Sequence, residues 1–270
     1  MQSSLHPFHL SPSASPFGVG RVLLHTLNEP LQSGPVQHGQ LQMQHVQALC
    51  QASLLGSQQT SELVHQWLAA GVDIEDVYLD GITPAARLVG QWWCDDLMDF
   101  ATGSLAYARL RHLLFELSPA FLKNASSQAA GLSCCIVGAF QTQHTMGSFM
   151  LSEFFRRTGW QVNLLECDSA DELLKKMVSD WYDLLAISLS SEQQLPSIRQ
   201  LVKQIRRSSA NPRLQILAGG PLVAACPELL ENLGVELVTQ DARAAQDKAL
   251  ELVMAVRCRS QTELTLVNVR

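Results

Sequence analysis

From Leu41 to Phe121 apolar residues recur at helical spacing, and the pattern breaks at glycine or proline. "LQMQHVQALCQASLLG" stops at Gly56 and "TSELVHQWLAAG" at Gly71, glycine being the usual residue just past a helix. "DIEDVYLDGITPAARLVGQWWCDD" follows, with Pro84 where a helix starts or bends, and then "DFATGSLAYARLRHLLFELSP". This spacing predicts a four-helix bundle over residues 41–123. "KNASSQAAG", 123–131, reads as a linker.

After the linker the period changes. The short apolar runs "LSCCIVGAF", "QVNLLE", "DLLAISLS", "LQILAGG" and "VELVT" alternate with the helical stretches "TMGSFMLSEFFRRTG", "ADELLKKMVSD", "LPSIRQLVKQIRRSS", "PELLENLG" and "DARAAQDKALELVMAVR". Five β-α units predict an α/β domain over 131–258, a doubly wound parallel five-stranded Rossmann-like sheet with helices on both faces. Residues 259–270 are expected as a tail. Residues 1–40 are rich in Ser, Pro, Gly and Gln around one apolar patch, "RVLLHTL", and are expected as a disordered arm.

Composition narrows the function classes. A chain that is 47% hydrophobic and 16% charged has ample material for a core. No run reaches the length of a membrane span, and the N-terminus lacks the charged and apolar regions of a signal peptide, so a cytoplasmic protein without a membrane partner is expected. Seven scattered cysteines without a C-x-x-C predict reduced, mostly buried thiols. A formal charge of −6 opposes phosphate neutralisation, so no direct nucleic-acid contact is expected.

Candidate chemistry gathers at one edge of the predicted sheet, because doubly wound sheets bind ligands at the carboxyl ends of their strands. "QTQHTMG" puts Thr142, His144 and Gly147 after the first strand, "SLS" puts Ser188 and Ser190 at the third, and Gly219 and Gly220 end the fourth. Small hydroxyls and bare glycines form a slot for an elongated group, with an imidazole at its mouth. The G-x-G-x-x-G nucleotide loop and the G-x-S-x-G hydrolase elbow are both missing from the sequence. The acidic clusters Asp73, Glu75, Asp76 and Asp95, Asp96 suit helix dipoles better than catalysis, and His45, His65 and His112 lack a second ligand at i+4. No enzyme is expected.

H-x-x-G after the first strand, S-x-S at the third and G-G at the fourth resemble the cobalamin-binding fold of methionine synthase and its relatives. The resemblance implies that His144 coordinates cobalt from below, as the metal ligand, while the displaced dimethylbenzimidazole tail enters a slot lined by the serine and glycines. That family usually carries Asp or Glu two residues before the histidine. Thr142 stands there in this chain and adds no charge to the imidazole's second nitrogen.

The helical segment, with "VYLDGITPAARLVGQWWCDD", Asp99-Phe100 and Arg109-Leu110, is similar to cobalamin-binding antirepressors of photosynthesis genes of the AerR/PpaA type. In photoreceptors of the CarH type a bundle tryptophan covers the upper corrin face, and a Glu-His pair follows ten and eleven residues later. Trp93 matches the tryptophan, but Gly103 and Ser104 occupy the positions of the pair. The resemblance therefore implies hydroxo- or aquo-cobalamin rather than the adenosyl form. A related module uses haem, which one imidazole also suits. The expected function is a cobalamin-loaded sensor that modulates a DNA-binding transcriptional repressor by protein contact. The competing expectation is a corrinoid carrier for methyl transfer.

Overall fold

The computed structural model describes residues 34, 36, 39–138, 145–230 and 232–267. It divides into two compact units, Met1–Pro119 and Ala120–Arg270, with the division falling near the end of one long helix.

In the first unit the helices are α1 (Met43–Leu55), α2 (Ser57–Ala69), α3 (Ile74–Asp76), α4 (Thr83–Cys94) and α5 (Phe100–Leu122). The segment expected as one helix with a bend at Pro84 is α3, a π-helical turn over Val77–Ile82, and α4. The wider turn lies just before the proline, which cannot donate a backbone hydrogen bond. Tyr78, Ile82 and Ala85 from this segment are fully buried, as are Leu49, Val64 and Leu110 of the same unit. Gly81 is needed there, because a Cβ would come within 3.1 Å of both the Leu41 and Trp67 side chains.

Several residues that carry the helical resemblance serve this packing. Arg109 on α5 donates to the carbonyls of Ser53 and Leu54 at 2.7 and 2.9 Å, closing the C-terminus of α1. Asp99 accepts from the Thr102 N–H at 2.9 Å and from its hydroxyl at 2.7 Å at the start of α5, and these bonds hold its carboxyl below the usual range. His45, 1% exposed, accepts from the Gln42 N–H through Nδ1 at 2.9 Å, so it caps α1.

The second unit is a five-stranded parallel sheet in the order β2-β1-β3-β4-β5. Its strands are β1 (Ser133–Gly138), β2 (Gln161–Leu165), β3 (Leu184–Ser188), β4 (Gln215–Gly219) and β5 (Leu237–Val238). α7 (Ala170–Ser179) and α8 (Leu195–Ser208) pack on one face through Leu173, Met177, Ile198, Leu201 and Ile205. α6 (Met146–Arg157) and α10 (Ala242–Val267) pack on the other through Phe155, Ala245, Ala249 and Val253. Alternate residues of β1 divide between the two cores, Cys135 and Val137 to one and Cys134 and Ile136 to the other, as the two-residue strand period requires.

Three details differ from the sequence reading. The stretch 123–131 is docked rather than free: the Ser126 and Ala129 N–H groups donate to the carbonyls of Arg157 and Thr158 at 2.6 and 2.9 Å. "PELLENLG" forms only a 3-10 turn, Pro227–Leu230, after the short α9 (Pro221–Ala225). The residues expected as a tail from 259 continue α10 as far as Val267, because Arg259, Gln261, Glu263, Leu264 and Leu266 propagate a helix that no Gly or Pro interrupts.

The cysteines are unbridged, with Cys50, Cys134 and Cys135 buried, Cys167 and Cys226 intermediate, and Cys94 and Cys258 exposed. Mostly buried thiols were expected, but the exposed pair lies at a helix end and on the outer face of α10. Burial pushes the Cys135 thiol up to about 12, so the strand cysteines act as small apolar residues. Among the described residues, no helix is long and apolar enough to cross a membrane.

Candidate functional site

β2 lies on one side of β1, while β3, β4 and β5 continue on the other. The connection therefore changes direction between β1 and β3, and a doubly wound sheet opens its ligand crevice at such a switch point. Register puts Gly138 at the end of β1 beside Ser188, and Ser188 beside Gly219. Three adjacent strands thus end in one row of residues with little or no side chain.

Gly219 and Gly220 are also needed by the backbone of the unit itself. Gly220 has φ of +98°, and a Cβ there would lie 2.4 Å from the Leu189 carbonyl oxygen and 2.8 Å from the Ser188 hydroxyl. The approach is held by the Leu189 N–H donating to the Gly219 carbonyl at 2.8 Å and the Leu222 N–H donating to the Leu189 carbonyl at 3.1 Å. At Gly219 a Cβ would meet the Thr239 carbonyl oxygen at 3.1 Å. The two glycines let β3, β4 and the segment after β5 close together, and the low rim follows from that closeness.

The two serines differ. The Ser190 N–H and hydroxyl both donate to Gln194 Oε1, at 3.0 and 3.3 Å, within the cap of the turn before α8. Ser188, half-buried at the end of β3, has no hydrogen-bond partner for its hydroxyl among the described residues. Leu189 between them is fully buried.

Gly147 is the second residue of α6 and is exposed, and no described atom lies within 4 Å of where its Cβ would be. The packing of the protein gives no reason for glycine here. Gly147→Ala is therefore expected to raise the stability of the unit by about 0.5 kcal/mol through helix propensity, while weakening cobalamin binding. Urea denaturation and a hydroxocobalamin titration of the same variant check the two halves, and unchanged binding would remove Gly147 from the site.

Thr142 and His144 lie outside the described residues, between Gly138 and Thr145. Beside that segment the hydroxyls of Thr145 and Ser148 are buried without a hydrogen-bond partner among the described residues. Hydroxyls of Thr145, Ser148 and Ser188 without partners among the described residues, and a row of small residues at a switch point, fit an elongated polar group lying against backbone.

In the first unit Trp93 is 42% exposed, with its ring 5.7 Å from that of Phe100, and Trp92 is partly buried. At Gly103 a Cβ would approach Met98 Sδ to 3.2 Å, so the position is already filled by packing, whereas Ser104 is exposed. Trp92→Ala is expected to cost about 2 kcal/mol through a cavity, and Trp93→Ala less than about 1 kcal/mol. Of the two variants, Trp93→Ala should lose more affinity for cobalamin. Thermal melts beside titrations of both would show whether these roles are reversed.

Sequence reasoning missed Gly138 and Thr239. Gly138 was legible as the small last residue of the apolar run "CCIVG". Thr239 was not, because its carbonyl reaches Gly219 only through the pairing of β4 with β5.

Residues 134–250 match the model of the B12 binding domain. The chain is 28% identical over 179 residues to the 20.5 kDa protein of the bchF-crtJ intergenic region of Rhodobacter capsulatus, covering 66% of this chain and 93% of that one. The monomethylamine corrinoid protein of Methanosarcina barkeri shares the fold, with a TM-score of 0.64 at 19% identity, over 77% of this chain and 96% of that one. The switch-point rim and the Gly-Gly turn thus lie within the residues that match the B12 binding domain, and the α/β unit is similar to that family and shares the fold of a corrinoid protein.

Proposed function

We propose that this protein is a cobalamin-loaded regulator that acts on a DNA-binding transcriptional repressor by protein contact. The observation that carries the cofactor half is the row Gly138, Ser188 and Gly219 at the sheet's switch point. In this reading Ser188 and the Gly219-Gly220 turn hold the nucleotide tail. His144 supplies the lower ligand, and Thr142 stands where a charged partner of the imidazole would otherwise be. Trp93 is the bundle residue that the resemblance assigns to contact with the corrin. With Gly103 and Ser104 in place of the Glu-His pair, the hydroxo or aquo form is favoured. A bound corrin would supply a cobalt centre sensitive to light or redox state, with His144 as the residue that would hold the metal.

The regulatory half is supported by the helical motif and by the bchF-crtJ location of the Rhodobacter capsulatus relative. It is also supported by charge, since an acidic chain is a poor holder of promoter DNA. A cofactor changes the outcome only if the partner binds loaded and empty forms with different affinity. The test is to titrate this protein, with and without hydroxocobalamin, into a repressor bound to its promoter, and to apply it to the same DNA alone. The loaded and empty forms should shift the repressor–DNA equilibrium differently, with no specific band from this protein alone. Equal effects would reject the regulator. Transfer of the methyl group from its methylcobalamin form to a thiol acceptor by an added methyltransferase would establish a corrinoid carrier instead. A haem spectrum in place of a corrin spectrum would replace the cofactor.

A further inference from the structure

The first unit holds ten acidic and four basic residues and so the whole formal charge of −6, while the second holds fifteen of each. Within the neutral second unit the charge is uneven. α8, "LPSIRQLVKQIRRS", carries Arg199, Lys203, Arg206 and Arg207 and no acidic residue. At 100° per residue these four fall within an arc of about 100°, opposite the buried Ile198, Leu201, Val202 and Ile205.

Arg206 is used by the fold, pairing with Glu236 and the Leu214 carbonyl. The others are not. Among the described residues Arg199, Lys203 and Arg207 form no ion pair, Lys203 and Arg207 are exposed, and Arg199 Nε is buried without a hydrogen-bond partner. Arg213 extends the basic surface just past the helix and is also exposed. Fold stability does not require three unpaired cations at i, i+4 and i+8, because like charges one turn apart on a helix repel.

We propose that the outer face of α8 is a docking surface for a short acidic segment of a partner protein. The stripe from Arg199 to Arg207 spans about 12 Å, the reach of two to three turns of a helix with carboxylates at i, i+4 and i+8. Two of its cations are arginines, whose planar fork suits bidentate carboxylate binding. A nucleic-acid duplex fits less well. Its dense charge extends far beyond the stripe, and the second unit as a whole carries no net positive charge to match it, whereas a short segment engages cations within about one Debye length, ~8–10 Å. The inference rests on α8 and not on the rim, since the cations lie on the face of α8 opposite its buried Ile198, Leu201, Val202 and Ile205.

The experiment uses the full chain at low and physiological salt, with a fluorescein-labelled ten-residue glutamate peptide as one probe and a labelled twenty-base-pair duplex as the other. The variant is Arg199→Gln with Lys203→Gln and Arg207→Gln. A control, Lys123→Gln with Lys248→Gln and Arg259→Gln, removes equal charge elsewhere. Peptide affinity should fall about tenfold in the α8 variant, the sum of a few exposed charge contacts, and stay within about twofold in the control. A duplex that binds more tightly than the peptide at the same salt would overturn the proposal in favour of nucleic acid. An equal loss in both variants, or no peptide binding to the wild type, would overturn it outright. Matching far-UV circular dichroism and melting of the two variants separates a lost surface from a lost fold.

Discussion

Gly220→Ala is expected to destabilise the α/β unit by about 2–6 kcal/mol, the sum of backbone strain and overpacking. At φ of +98° and ψ of −179° the residue sits in a region that only glycine occupies readily. The new methyl would be driven into the Leu189 backbone at 2.4 and 2.7 Å, and strand backbone cannot swing aside as a flexible side chain can. A loss of that size is a large share of the ~5–15 kcal/mol that holds a typical domain together. Urea denaturation followed by circular dichroism measures it, and a loss below about 1 kcal/mol would show that the β4–α9 turn does not close against β3 as described. Gly219→Ala should cost less, because its nearest contact is one carbonyl at 3.1 Å and its φ is not in the left-handed region. Lost cobalamin binding in a Gly220 variant reports first on the fold, so Ser188, whose hydroxyl has no partner among the described residues, is the better position for testing the tail slot.

His144→Ala is expected to abolish the spectral sign of imidazole ligation in the hydroxocobalamin complex. Of the three described histidines, His45 caps α1, His65 bonds Glu116 at 3.1 Å, and His112 is exposed on α5. Affinity should fall by more than the ~10–100-fold typical of losing an outer partner of a metal ligand, yet some should remain. The macrocycle's buried area and the tail slot contribute independently of the cobalt bond. An unchanged spectrum in the variant would show that another group ligates cobalt. An absent spectrum in both proteins would reject the cofactor reading itself. Because Thr142 carries no charge, ligation in the wild type should also reverse more readily than in proteins with a carboxylate at that position.

The sequence by itself determined the class of each unit. The helical spacing from Leu41 to Phe121 and the switch to short apolar runs after the linker are properties of single segments, and each segment must bury its own apolar face. It also placed Ser188 and Gly219 at strand ends, since a strand's last residue is marked by where its apolar run stops, while His144 lies outside the described residues. What no segment contains is the relation between segments. Only the tertiary structure decided that Gly138, Ser188 and Gly219 form one row, because that needs the order 2-1-3-4-5 and the register of each pair. Only it divided the tasks of the two serines, since Gln194 claims one hydroxyl by folding back four residues. It also gave Gly220 a structural reason for being glycine, in the backbone of a strand more than thirty residues earlier. Arg109 and Asp99 read as family marks in the sequence, and the fold assigns them to helix ends. The physical cause is common to these cases: periodicity records which face of an element is buried, while close approach and hydrogen-bond partners are set by the elements it meets.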